Sequence, residues 1–270
     1  MRFWGVRGSI PTPGPTTARY GGNTPCIEVR IGDELVLFDL GTGIRGFGES
    51  AKPPIRGTIF ISHYHYDHLQ GLPFFVPIFN PRNEFTIRGP TREGRTVQDV
   101  ISGQMQQPFF PVTAEMVFRA KLTYEPMAAG DTVRIGDGVV TALETNHPGG
   151  NLAYRIDCQG KSIVYATDTE HGTERDSKLI EFARGADIFI YDAMYTEDEY
   201  RGKIGSAKLG WGHSTWQTAV EIANTAGIGT LVLFHHDPTR SDDALDALVA
   251  EVRAVRKKTI AAREGLVLVP

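Results

Sequence analysis

The sequence predicts a single α/β domain, a β-rich sandwich with helices on its outer faces. Three observations carry that expectation. Short runs rich in β-branched and aromatic residues, bounded by Gly, Pro or Asp, recur along the chain. Clear helical periodicity is confined to the second half. The conspicuous polar residues Asp39, His63, Asp168, Asp192 and His235 all fall at the C-terminal ends of expected strands. Loops at one end of a packed sheet stand on a rigid frame, where a site can be assembled.

Strands are expected over residues 26–32, 34–43 and 57–62, joined by glycine turns. The stretch "GTGIRG" after the second of these matches G-x-G-x-x-G. Pro53 and Pro54 follow within a turn or two of where its helix would open, and no acidic residue ends a second strand at the right distance. No dinucleotide site is expected there. Residues 72–126 hold many of the prolines and much aromatic content ("LPFFVPIFNP", "QPFFPV"). They read as a partly helical insertion within one domain spanning 1–270. Strands resume over 131–145, 151–157, 162–168, 186–193 and 230–236. Helices are expected over 177–185 and 214–227, each opening on Ser and closing on Gly. A third, over 241–258, carries acids in its first turn and bases in its last, as the helix dipole favours.

Composition narrows the functional classes. The 270 residues are 41% hydrophobic and 22% charged, enough for a sizeable core. Lys and Arg number 28 against 32 Asp and Glu, a formal charge of −4, which argues against a protein that grips nucleic acid through many phosphates. Cys26 and Cys158 show no Cys-x-x-Cys spacing, so neither a disulfide framework nor a thiolate zinc site is expected. The N-terminus has no apolar signal region and no run approaches the length of a membrane span, so a cytoplasmic location is expected.

The chemistry concentrates in "IFISHYHYDHLQG", which places His63, His65, Asp67 and His68 within six residues directly after an apolar strand. A solvated loop explains one chance histidine there. Three histidines of the chain's eight, with an aspartate between them, point instead to divalent metal held by imidazole nitrogen and carboxylate oxygen.

"HYHYDHLQG" resembles the H-x-H-x-D-H signature of the metallo-β-lactamase superfamily. The resemblance implies a four-layer αββα sandwich and a dinuclear metal site. Further positions match in order: Asp39 in "LFDLGTG", His147 in "TNHPGGNLAYRI", Asp168 in "VYATDTE" and His235 in "LVLFHHDP". By that resemblance His63, His65 and His147 hold one metal. Asp67, His68 and His235 hold the other, and Asp168 and a hydroxide lie between them. Asp39 braces the site. His236 competes with His235 for the last ligand position; the pattern favours His235 and leaves His236 in the surrounding shell. Two divalent ions are implied, zinc first from the nitrogen and oxygen donors, with manganese or iron also fitting.

"GWGHSTW" is similar to the G-H-S-T segment of the RNase Z branch of phosphodiesterases, as is the opening "GSIPTPGPTTARYGGNTPCIEV". The resemblance implies that His213 donates a proton or binds phosphate, with Asp192 orienting it and Asp67 assisting catalysis. Two features depart from a tRNA-processing enzyme. Only twenty residues separate His147 from Asp168, room for a hairpin and not for a tRNA-binding arm, and residues 72–145 carry seven basic against eight acidic side chains. "YDAMY" (residues 191–195) also stands where such relatives carry His-Glu-Ala-Thr-Phe. The expected substrate is therefore a small phosphodiester or nucleotide, 3′,5′-cyclic nucleotides above others. Phe74, Phe75, Phe109 and Phe110 are candidates to stack a base. Two alternatives stand beside it: tRNA 3′-processing, and ester, thioester or lactone hydrolysis on the same fold. Neither a membrane nor a nucleic-acid partner is expected, and a homodimer is left open.

Overall fold

A computed structural model describes residues 1–270. Two sheets lie face to face. The first runs in chain order through β1 (Arg2–Gly5), β2 (Cys26–Ile31), β3 (Glu34–Phe38), β4 (Arg56–Phe60), β5 (Glu84–Gly89) and β6 (Lys121–Pro126). The second holds β7 (Thr132–Ile135), β8 (Gly138–Thr145), β9 (Asn151–Cys158), β10 (Lys161–Ala166), β11 (Ile188–Asp192), β12 (Thr230–Phe234) and β13 (Thr259–Ala261), in the reverse spatial order. Each sheet joins an antiparallel half to a parallel one: β3 to β6 are parallel, as are β10 to β13.

The inner faces form one apolar cluster. Phe38 and Phe60 of the first sheet meet Tyr154 and Tyr165 of the second, with ring centroids 5.3–5.5 Å apart. The outer face of the first sheet is covered by α1 (Gly43–Ser50) and α2 (Val97–Gly103) through Ile44, Phe47, Val97 and Ile101. The outer face of the second is covered by three helices: α4 (Arg175–Ala183), α6 (Trp216–Thr225) and α7 (Asp242–Val255). This is the four-layer αββα arrangement. Two one-turn helices, α3 (Ala114–Val117) and α5 (Glu197–Tyr200), sit in connections. No helix is long and apolar enough to cross a membrane.

Several local expectations need correction. A helix does open in "GTGIRG": α1 is complete before Pro53, so the prolines follow it without preventing it. Its glycines serve close backbone packing. A Cβ on Gly41 would stand 2.4 Å from the Asp67 carbonyl oxygen, and one on Gly71 would stand 2.1 Å from that of Gly41. The stretch 72–126 contributes β5 and β6, paired in parallel beyond β4, as well as short helices. The proline- and aromatic-rich run 72–81 lies before β5, largely in two short helical turns, and the run 107–112 lies between β5 and β6. The run 131–145 is a hairpin of β7 and β8, turning at Gly136 with φ +54°. The helix expected from Ser214 is capped one residue later, by Thr215, whose side chain accepts from the Thr218 amide.

α7 begins where the sequence indicates. Ser241 caps it, accepting from the Ala244 amide at 3.2 Å. Ser241→Ala should lower stability by about 1 kcal/mol, read as a shifted denaturant midpoint with unchanged slope.

Candidate dinuclear metal centre

The C-terminal ends of β3, β4, β8, β10, β11 and β12 meet at one edge of the sandwich, and each delivers a polar side chain there. Three of those residues, Asp39, Asp168 and His235, have φ between +48° and +60°. Left-handed backbone is uncommon outside glycine, and Asp and His are among the side chains that tolerate it best.

Asp39 organises the first turn. Its buried carboxylate accepts from the Ser62 amide and hydroxyl at 2.8 Å, from the Tyr165 hydroxyl at 2.7 Å and from His68 Nδ1 at 2.8 Å. The last bond puts the proton of His68 on Nδ1 and turns Nε2 inward. The His motif is also tied to the loop after β3 through Leu40 N to His68 O (2.7 Å) and Gly71 N to Leu40 O (2.9 Å).

Two groups of metal-ligating atoms with no residue in common result, beside a third set, Asp168, Asp192, His213 and His235, that shares Asp168 and His235 with the second group. His63, His65 and His147 form one, and Asp67, His68, Asp168 and His235 form the other; within each, the ligand atoms lie within 4.8 Å of one another. Asp168 faces both: Oδ1 lies 3.8 Å from His63 Nε2, and Oδ2 lies 3.1 Å from His68 Nε2 and 3.3 Å from His235 Nε2. Asp67 Oδ2 lies 3.1 Å from His235 Nε2 and accepts from the Ser9 amide at 2.8 Å. His147 donates Nδ1–H to the Gly212 carbonyl at 2.8 Å, leaving Nε2 for the cluster. All of these are buried except His65, which is exposed and opens the first group to solvent.

The protein atoms do not satisfy one another. His63 Nε2 and His68 Nε2 are buried without hydrogen-bond partners. Burial, more than any other influence, holds His63, His65 and His147 below the ordinary histidine range, so they are neutral with lone pairs available. Burial alone would raise Asp67 and Asp168, but the surrounding imidazoles reverse it and keep both ionised. Burial alone would lower His68 too, but Asp168, Asp67 and Asp39 hold it well above the ordinary range, so a cation bound there would displace a proton. The neutral imidazoles of the first group and the ionised carboxylates at this spacing suit a pair of divalent cations.

His213 lies beside the second group, its ring stacked on that of His235 at 5.0 Å. Nδ1 donates to Asp192 Oδ2 at 2.8 Å. Ser214 takes no part in capping; its hydroxyl bonds His171 Nδ1 (2.9 Å) and the Tyr191 hydroxyl (3.1 Å).

Two expectations are not met. His236 is not part of the shell around the ligands: the chain leaves β12 through the left-handed His235, and His236 Nε2 donates to the Ala262 carbonyl at 2.8 Å. Of the candidate stacking residues, Phe75 is core, while Phe74 and Phe110 contact each other, and Phe74 and Phe109 are exposed. None of the four lines the cleft beside His63 and His65.

Glu170 has a role that no motif announces. Its carboxylate accepts from the Tyr200 hydroxyl and from the Gly210 and Gly212 amides, at 2.6–2.8 Å. It thus pins the loop whose Gly212 carbonyl holds His147. Only its position two residues after Asp168 hints at this.

Residues 35–236 match the family model described as "Beta-lactamase superfamily domain". The chain belongs to that family. Within this superfamily it is similar in sequence to Ribonuclease Z of Thermoplasma acidophilum, with 29% identity over 90% of this chain and 88% of the relative. Ribonuclease Z of Pyrococcus furiosus shows 26% identity over 88% and 86%. In fold it is similar to a solved structure described as a new diphosphatase from the PhnP family, with TM-score 0.74, 17% identity and coverage of 100% and 96%.

One prediction tests the centre and another the buried His236 beside it. Asp168→Ala, which removes the carboxylate facing both ligand groups, should lose bound metal, measured by elemental analysis of the purified protein. Burial pushes His236 down to about 3, so the folded state refuses a proton that the unfolded chain accepts below about pH 6.5. Its contribution is therefore complete above about pH 6.5 and lost as pH falls toward 3, by up to about 1.4 kcal/mol per pH unit. His236→Gln should flatten the dependence of urea midpoint on pH over that range.

Proposed function

We propose that this protein is a metal-dependent phosphodiesterase acting on small phosphodiesters, with 3′,5′-cyclic nucleotides as its leading substrates. The observation that carries the reading is His213, buried, held by Asp192 and stacked on His235 beside Asp168. Two divalent cations held by the His and Asp groups would supply an activated water and a clamp on the phosphoryl oxygens. Zinc suits the nitrogen and oxygen donors best, and manganese or iron also fits.

In this reading the chain's own groups divide the work. Asp192 fixes the His213 tautomer, so Nε2 faces the substrate. Burial lowers the pKa of His213, but Asp192 and then Asp168 push it up to about 9, so the ring holds a proton to give to the leaving oxygen. The charge of bound metal works in the opposite direction. Asp39, Gly212 and Glu170 hold the ligating histidines in place, so the site needs little rearrangement as charge develops.

Two features support a small substrate. β9 and β10 are joined by a tight turn at Gln159 and Gly160, so no arm projects between His147 and Asp168. The alignments with the two archaeal relatives run over 291 and 288 positions while using 88% and 90% of this chain, so several tens of positions have no counterpart here. The relatives' name nevertheless runs against the expectation of no nucleic-acid partner. Their coverage of nearly the whole chain favours a second reading, tRNA 3′-end processing.

A screen of cyclic mononucleotides, dinucleotides and precursor tRNA, with a lactone and a thioester as controls and metal analysis alongside, tests both readings. Turnover of precursor tRNA without the small diesters would replace the first reading with the second. His213→Ala should lower kcat by about 10²–10⁴ with metal content unchanged. Wild-type rates in that variant would remove the proposed role.

A further inference from the structure

A cleft of about 350 Å³ opens beside the first ligand group, with His63 and His65 at its floor. Its walls come from three connections: Tyr64 from the His motif, Pro148 to Gly150 after β8, and Arg92 and Arg95 from the loop after β5. That volume lies at the small end of ligand pockets and admits a group the size of a mononucleotide, not a helix of RNA.

The two arginines are built into a rigid turn. Arg92 and Arg95 exchange both backbone hydrogen bonds, at 2.8 and 3.0 Å, around Glu93 and Gly94, which both have positive φ. This is the geometry of a two-residue hairpin turn. The Arg92 side chain, 26% exposed, lies over Gly150, where a Cβ would approach within 2.6 Å of its Cζ. It has no hydrogen-bond acceptor: Nε and Nη2 are buried without partners, and Nη1 has only Glu144, at 3.6 Å. A partly buried guanidinium with two donors unused is costly, and a phosphate offers paired anionic oxygens that match its planar fork. Arg95 adds a second cation at the same mouth. Glu93 also lines the cleft, but it sits exposed at the tip of the turn, where water screens its charge.

We infer that this cleft is a subsite for a second phosphate, so that the preferred substrate is a small phosphodiester carrying one phosphate beyond the scissile one. The inference rests on the phosphodiesterase reading and narrows it. A cyclic nucleotide with an additional phosphate and a 5′-phosphorylated dinucleotide present the same chemistry. Arg92 and Arg95 bind the spectator phosphate, while the scissile group lies over the His and Asp cluster.

The test compares ApA with pApA, which differ only in the terminal phosphate, using metal-loaded enzyme. Wild type should favour pApA at least tenfold in kcat/KM, Arg92→Gln should bring that ratio toward one, and Arg92→Lys should restore part of it. Arg95→Gln, at an exposed position, should reduce the ratio less. A wild-type ratio near one, or an Arg92→Gln variant that slows both substrates equally and leaves the ratio intact, overturns the subsite. Calorimetric binding of the two compounds separates this from failure of the phosphodiesterase reading. If neither is hydrolysed, tighter binding of pApA that is lost in Arg92→Gln still supports the subsite, and equal affinities overturn it.

Discussion

The carboxylate of Asp39 holds the site edge of the sandwich together. It accepts four hydrogen bonds, reaching Ser62 and His68 in the turn after β4 and Tyr165 in the opposite sheet. A buried carboxylate with fewer donors would be strongly unfavourable, so those partners are fixed as firmly as Asp39 itself. Their positions set the direction of His68 and, through the backbone bonds to Leu40 and Gly71, the path of the whole His motif. The small size of Gly41 and Gly71 follows from the same constraint, since the two loops touch backbone to backbone.

Around that anchor the protein concentrates groups that a folded interior ordinarily avoids. Asp67, His68, Asp168 and His235 are all buried within one cluster, and several of their nitrogens have no protein partner. Three extensive apolar clusters, one between the sheets and one on each outer face, supply the stability that lets the edge carry this load. Function and fold thus separate spatially: the sheets provide rigidity, and the strand-end loops provide chemistry. The exposed His65 and the adjoining cleft are the points at which that chemistry meets solvent.

The second layer around the ligands is built from side chains and carbonyls far apart in sequence. Gly212 holds His147, Glu170 holds Gly212, and Asp192 holds His213. Gly212 and His213 lie in the connection between β11 and β12, and these contacts tie that connection to the ends of β8, β10 and β11. Small movements of the loop between α5 and α6 would reach His147 and His213 together, because Gly212 and His213 are adjacent.

The sequence by itself determined the sandwich class, the strands between residues 131 and 236, α7 with its cap, and the residues that the cluster brings together. Those features are local: periodicity, capping and the tight spacing of His63, His65, Asp67 and His68 act over a few positions. It did not reveal β5, β6 or α1, whose short runs are stabilised by neighbouring strands and packing more than by propensity. The resemblance favoured His235 over His236, but local pattern alone did not, since which side chain faces the cluster depends on register and on a left-handed turn at His235. Only the tertiary structure decided that Asp168 presents one oxygen to each ligand group, that Phe75 is core, and that Arg92 lies over Gly150 with two of its guanidinium nitrogens lacking hydrogen-bond partners. Each of those facts is a distance between residues remote in the chain, set by how two sheets pack.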